Sequence, residues 1–158
     1  MDLSRFYLLI LLIIGLDQGS KKAAKWFLAL NQSVTVIPGV LSFTHIQNPG
    51  AAFGILKYQT PLLLLITISL IFVVILFRNK LPNQAATFRY GLALGLGGAI
   101  GNLIDRIRIG KVIDFLDLDF WPLQNWPIFN LADISILAGA ALIFFYLIQE
   151  EIVKGERR

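Results

Sequence analysis

Residues Pro61–Phe77 read PLLLLITISLIFVVILF, with Thr67 and Ser69 the only polar side chains in the run. A bilayer core is about 30 Å thick and is crossed by about 20 helical residues, with a range of roughly 17–25. A segment this long and apolar is read as a membrane-spanning helix. Three further apolar segments flank it. Phe6–Leu16 reaches spanning length only if its helix continues through Asp17–Lys21 toward Leu28. Tyr90–Ile104 is glycine-rich, and Gly91/Gly95 and Gly97/Gly101 have the spacing that lets helices approach closely. Ile134–Ile148 begins just after Asp133 and ends before Gln149-Glu150-Glu151. The chain is therefore expected to form one integral membrane domain over residues 1–158. Its fold class is an all-α membrane bundle with a small β element, with four transmembrane helices near 6–28, 61–78, 89–106 and 132–150.

The composition agrees. Of the 158 residues, 56% are hydrophobic and only 15% charged, against roughly 25% charged in an ordinary soluble domain. The net charge of +4 is carried mostly by residues flanking apolar segments. It therefore points to lipid headgroups rather than nucleic acid. Cysteine is absent, which excludes disulfides, thiolate catalysis and thiolate metal sites. The single histidine, His45, excludes any site needing two, and its place in an alternating strand argues against a ligand role. Arg5 and the apolar run after it resemble a signal peptide, but no small-x-small cleavage site follows. The segment is read as a retained first helix.

Two segments lie outside the helices, 29–60 and 107–131. Val34–Ile37 and Leu41–Ile46 have strand composition, and Pro38-Gly39 between them predicts a turn, hence a small sheet at the membrane surface. The second segment mixes aspartates, prolines and aromatics (Phe120, Trp121, Trp126, Phe129), which suit the headgroup interface. Four helices put both termini on one side. Lys and Arg divide seven to seven between the two sides, so charge alone leaves orientation undecided, with a lean toward termini inside from the short, acid-free loop holding Arg78, Lys80 and Arg89.

The polar residues then stand out. An ionised carboxylate inside a bilayer costs at least about 2.5–3.5 kcal/mol, and such groups commonly have a function. Asn102, Asp105 and Arg106 share one face at the end of the third helix, at i, i+3 and i+4. Asn130 and Asp133 open the fourth helix. If these helices are antiparallel, both ends lie on one membrane side, together with Asp114 in the connecting loop and with Asp17, Lys21 and Asn48. Asp114 sits between Ile113 and Phe115 and needs a partner. Two converging carboxylates can share a proton and act as acid and base toward a peptide bond. The asparagines can donate to them or hold a backbone without adding charge. Simpler roles stand beside these: Asp105–Arg106 as a structural brace, Asp17–Lys21 as a helix-end pair, Asp117 and Asp119 facing water, and Asp133 as a first-turn helix acid.

Five ordered motifs run through the chain: Asp17-Gln18-Gly19-Ser20-Lys21, Asn48–Gly54, Gly98–Arg106, Val112-Ile113-Asp114-Phe115 and Phe129-Asn130-Leu131-Ala132-Asp133. Together the chain resembles the lipoprotein signal peptidases (bacterial signal peptidase II). The resemblance implies a metal-independent aspartic endopeptidase of the bacterial inner or plasma membrane, without a cofactor. Its substrate would be a prolipoprotein, cut just before a diacylglyceryl cysteine. Asp114 and Asp133 map to the catalytic pair, while Asp17, Lys21, Asn48, Gly54, Asn102, Asp105, Arg106 and Asn130 would support the site or hold substrate. The resemblance also implies four transmembrane helices, an extracytoplasmic β-cradle and interfacial loop, cytoplasmic termini, contact with membrane lipids and inhibition by globomycin. Two readings compete with it. One is a Mg²⁺-dependent headgroup transferase using Asp105, Asp114, Asp117 and Asp119. The other is a proton carrier using Asp17, Asp114 and Asp133.

Overall fold

The computed structural model describes residues 2–50, 56–77 and 86–156. All four expected helices are present: α1 (Leu3–Phe27), α2 (Thr60–Phe77), α3 (Ala86–Ile109) and α4 (Leu131–Glu156). Helix α1 starts earlier than its apolar run because Asp2 caps it, accepting from the Arg5 N–H at 2.8 Å. It continues without a break through Asp17–Lys21. Helix α3 stops at Gly110, whose φ of 72° suits a glycine at a helix end, and the Gly110 N–H reaches the Arg106 carbonyl at 3.0 Å. Helix α4 runs past its apolar stretch because Glu150 and Lys154 pair one turn apart at 3.0 Å.

Three strands form one antiparallel sheet in the order β1 (Ser33–Ile37), β2 (Leu41–Asn48), β3 (Val112–Leu118). The first two are the predicted hairpin. The third lies in the segment read as an interfacial loop, and β2 brings it there: Asn48 pairs with Val112, Ile46 with Asp114 and Phe43 with Leu116. Between Phe43 and Ile46 the register slips, a bulge that bends the strand beside the site. Phe129 then bonds to β3, its carbonyl accepting from Phe115 at 3.0 Å and Leu116 at 2.8 Å. That pairing brings the start of α4 against Asp114. The same sheet corrects the predicted water-facing placement of Asp117 but not that of Asp119. Asp117 is half-buried and accepts from Thr44 at 2.7 Å, whereas Asp119, just beyond β3, is exposed as expected and accepts from Ser42.

Helix α3 is the axis of the bundle, packed against α4, α1 and α2. Its glycines set the distances. A Cβ at Gly98 would strike the Ala132 carbonyl of α4, and one at Gly101 would strike the Asp17 carboxylate of α1. The apolar core is small: Phe6, Ile10, Ala93 and Leu96. Leu8, Leu11, Leu65, Phe72, Leu137 and Phe144 point outward, while the largest fully buried side chains are Lys21, Asn130, Asp17 and Asp114. An apolar exterior around a polar interior is unstable in water and suits lipid. Among the described residues two helices are long and apolar enough to cross a membrane, Leu3–Phe27 and Leu131–Gly155; Thr60–Leu76 is a shorter apolar helix.

Candidate active site

The polar residues meet at one end of the bundle, where α1 and α3 finish and α4 begins. Asn130 caps α4. Its side-chain oxygen accepts from the Asp133 N–H at 3.0 Å, and the Asp133 Oδ2 accepts from the Asn130 N–H at 3.1 Å. This reciprocal cap satisfies two otherwise unpaired helix donors. Asp133 therefore is a first-turn helix acid, and the same geometry aims its other oxygen, Oδ1, at Asn102 Nδ2, 2.8 Å away. A third donor, the Ala132 N–H, is bound by Asp17 Oδ1 at 3.0 Å, which ties α1 to the start of α4.

Asp114 enters from β3. Its Oδ2 accepts from Asn48 at 2.9 Å and its Oδ1 from Asn130 Nδ2 at 2.6 Å. The three asparagines named from sequence thus each donate to one of the two aspartates. Burial, followed by the negative charge of Asp133, raises the Asp114 pKa from 3.8 to about 7; the Asn48 and Asn130 hydrogen bonds and the Lys21 charge act in the opposite direction. A carboxyl group poised there can hold or release a proton at neutral pH.

Behind the aspartates lies a buried ion cluster. Lys21 Nζ is 2.8 Å from both Asp17 and Asp105 and donates to Asn102 Oδ1 at 2.9 Å. Asp105 also accepts from Gln18 at 3.0 Å and from the Ile113 N–H at 3.3 Å. The predicted Asp17–Lys21 pair is present. The predicted Asp105–Arg106 brace is not: consecutive helical residues point about 100° apart and cannot face each other. Asp105 turns inward to Lys21, and Arg106 donates to the Gly50 carbonyl at 3.1 Å.

Asp114, Asp133, Asn48, Asn102 and Arg106 line one cavity of about 690 Å³. Trp126 and Phe129 stand at one wall, and Ile134, Leu137 and Ala140 continue it down α4. A polar head on an apolar trough suits a ligand lying partly in lipid.

Residues 9–149 match the family described as Signal peptidase (SPase) II. This chain belongs to that family. Among its relatives, the lipoprotein signal peptidase of Moorella thermoacetica is 41% identical over 143 residues, covering 90% of this chain and 92% of that protein. The lipoprotein signal peptidase of Lactobacillus gasseri is 48% identical over 145 residues, covering 90% and 91%. A solved bacterial membrane enzyme superposes with a TM-score of 0.87 at 30% identity, covering 94% of this chain and 90% of that one.

Of the residues expected to form a signal peptidase II site, all but one are brought together here; Gly54 lies outside the described residues. Gln18 carries more than sequence reasoning assigned to it. Its amide reaches Asp17, Asp105 and the Gly101 carbonyl at 3.2, 3.0 and 3.1 Å. Its place inside the first motif was the available signal. His45 is buried, and its Nδ1 donates to the Leu28 carbonyl at 3.0 Å, which pins the sheet to the end of α1. The transferase reading loses its ligand set: Asp105, Asp117 and Asp119 are bound to Lys21, Thr44 and Ser42, respectively. Among the described residues no three acidic, histidine or cysteine side chains group to hold a metal. The carrier reading needs a mobile proton on Asp17, whose two oxygens are held by Ala132 and Lys21.

Proposed function

We propose that this protein, a membrane-embedded aspartic endopeptidase that removes signal peptides from prolipoproteins, uses Asp114 and Asp133 as its catalytic pair. The observation that carries the assignment is their shared cavity, in which each carboxylate is oriented by asparagine amides.

The chemistry follows from the pair. One carboxylate takes a proton from a water held between them, and the hydroxide attacks the scissile carbonyl. The partner carboxylic acid donates its proton to the carbonyl oxygen. On collapse of the resulting gem-diol the C–N bond breaks, the first carboxyl group passes its proton to the departing amine, and the second takes one back from a hydroxyl of the diol as the carboxylic acid product forms. Each cycle leaves the pair with the single shared proton it began with. The two sites titrate as a unit, so the roles belong to the pair. Arg106, bonded to the Gly50 carbonyl, braces the entrance against the segment after β2.

The substrate is a prolipoprotein whose cysteine carries diacylglycerol. Its acyl chains stay in the bilayer and hold the scissile bond near the headgroups. The apolar wall of Ile134, Leu137 and Ala140 lies where a lipid chain or the apolar part of a signal peptide would descend. All four helices span the membrane, with both termini cytoplasmic and the sheet and the 107–131 segment outside. The location is the bacterial inner or plasma membrane. Globomycin blocks the enzyme by filling the same cavity.

The test is cleavage of a diacylglyceryl prolipoprotein in detergent, read as a gel shift, with and without EDTA. Wild type cleaves in both. Asp114→Asn and Asp133→Asn each lose at least about 10²-fold, the usual contribution of one acid–base group, while remaining folded. Near wild-type turnover in either variant refutes the pair. Reversible loss in EDTA refutes the metal-free mechanism. Cleavage unaffected by globomycin would refute its proposed seat.

A further inference from the structure

A second concavity opens beyond the Lys21–Asp105 ion pair, between the last turns of α1 and α3. Its volume is about 800 Å³, within the roughly 300–1,000 Å³ of small-molecule sites. It shares no lining residue with the cavity that holds Asp114 and Asp133. Lys22, Lys25 and Arg108 stand around it, with Trp26 and Ile109 supplying apolar surface. Lys22 and Lys25 are three apart on α1, and Lys22 and Trp26 four apart, so they form one stripe. The mouth is open at Gly19, where an added Cβ would meet nothing within 4 Å.

The charge here is not neutralised. Among the ion pairs of the described residues, none includes Lys22, Lys25 or Arg108. The one carboxylate lining the cavity, Asp105, is already bound to Lys21. Cations at a membrane edge often do no more than extend toward headgroups. These three converge on one concavity. On the topology proposed above, on which this point rests, they also lie outside, where short loops are ordinarily poor in Lys and Arg.

We propose that this cavity binds a phosphate group, the phosphodiester of an anionic phospholipid seated between α1 and α3. Arg108 offers a planar fork to two phosphate oxygens, and Lys22 and Lys25 add point charges. Trp26 is 80% exposed and lies at headgroup level, as interfacial tryptophans do. Ile109 meets the first methylenes of the lipid. Free phosphate carries the same chemistry, so the test separates the two sources.

The full-length protein in detergent is titrated with phosphatidylglycerol, with phosphatidylcholine and with inorganic phosphate, and bound lipid per chain is counted by native mass spectrometry. One phosphatidylglycerol is expected to bind on the order of a hundredfold more tightly than phosphatidylcholine, about fivefold for each cation. A triple variant, Lys22→Gln with Lys25→Gln and Arg108→Gln, loses that preference. Arg108→Gln alone loses about fivefold of it. Lys57→Gln with Lys111→Gln, which removes charge outside the cavity, keeps it. Displacement of the lipid by equimolar inorganic phosphate assigns the site to phosphate itself; retention assigns it to the lipid. Equal affinity for the two lipids, an unchanged triple variant, or equal loss in the Lys57/Lys111 control overturns the proposal. The readout is binding, so failure to cleave a prolipoprotein leaves it untouched, and an Asp114→Asn chain binds the lipid as wild type does.

Discussion

Replacing Asp114 by Asn should abolish turnover and at the same time stabilise the folded protein at alkaline pH. The Asp114 carboxyl is raised from 3.8 to about 7, first by burial and then by the charge of Asp133. Between those values the folded protein keeps a proton that the unfolded chain has released. The stability associated with that proton is fully present below pH 3.8 and is lost as pH rises through about 7. A gap of roughly three pH units, at about 1.4 kcal/mol each, puts the total near ~4 kcal/mol. Integrated from pH 5 to pH 8, the loss is roughly 2–3 kcal/mol. Asn cannot ionise, so the variant lacks this dependence. It sacrifices one hydrogen bond, because the Asn48 and Asn130 amides both donate to Asp114 and an Asn can accept from only one of them through oxygen. That loss is about 1 kcal/mol. The variant should therefore nearly match wild type at pH 5 and exceed it by roughly 2–3 kcal/mol at pH 8. Thermal unfolding in one detergent, followed by tryptophan fluorescence across that pH range, measures it. Parallel pH profiles for wild type and variant, or a variant less stable than wild type at pH 8, would refute the reasoning.

Other perturbations separate architecture from chemistry. Lys21→Met strands Asp17 and Asp105 without their cation inside the bundle and should cost about 3–5 kcal/mol; an unchanged melting temperature would mean the ion cluster is not structural. Gly98→Ala drives a methyl into the Ala132 carbonyl and should destabilise by about 1–3 kcal/mol. Gly15→Ala meets nothing within 4 Å and should stabilise by about 0.5–1 kcal/mol, so the two melting curves should move in opposite directions. Asp117→Asn keeps an acceptor for Thr44 and should alter stability by no more than about 0.5 kcal/mol, with turnover near wild type. Complete inactivity there would reopen the metal-dependent reading.

Much of the candidate site was legible because helical spacing is local information. Asn102, Asp105 and Arg106 share a helix face by spacing alone. Asp17 and Lys21 pair one turn apart, and the arithmetic of antiparallel helices gathers the polar ends on one side. Helix ends were less legible, since charged residues such as Glu150 and Lys154 continue α4 beyond its apolar stretch. Strand β3 was missed because Val112–Phe115 is buried throughout and so lacks the alternation that marks a half-exposed strand. The partner that makes it a strand, β2, lies more than sixty residues earlier.

The amino-acid sequence by itself determined the apolar helices, the one-sided polar cluster and the pairing of residues one turn apart, because each follows from periodicity along a single chain segment. Only the tertiary structure decided which polar group meets which. Asp105 bonds to Lys21 rather than Arg106 because the rotation of α3 against α1 points it inward. Asp114 reaches Asn130 because β3 adds to β2 and Phe129 bonds back to β3. Asp133 serves as cap and cavity wall together because α4 begins against Asn102. Hydrogen bonds are short and directional, so their partners are set by how elements rotate and approach, and no local pattern along the chain encodes that.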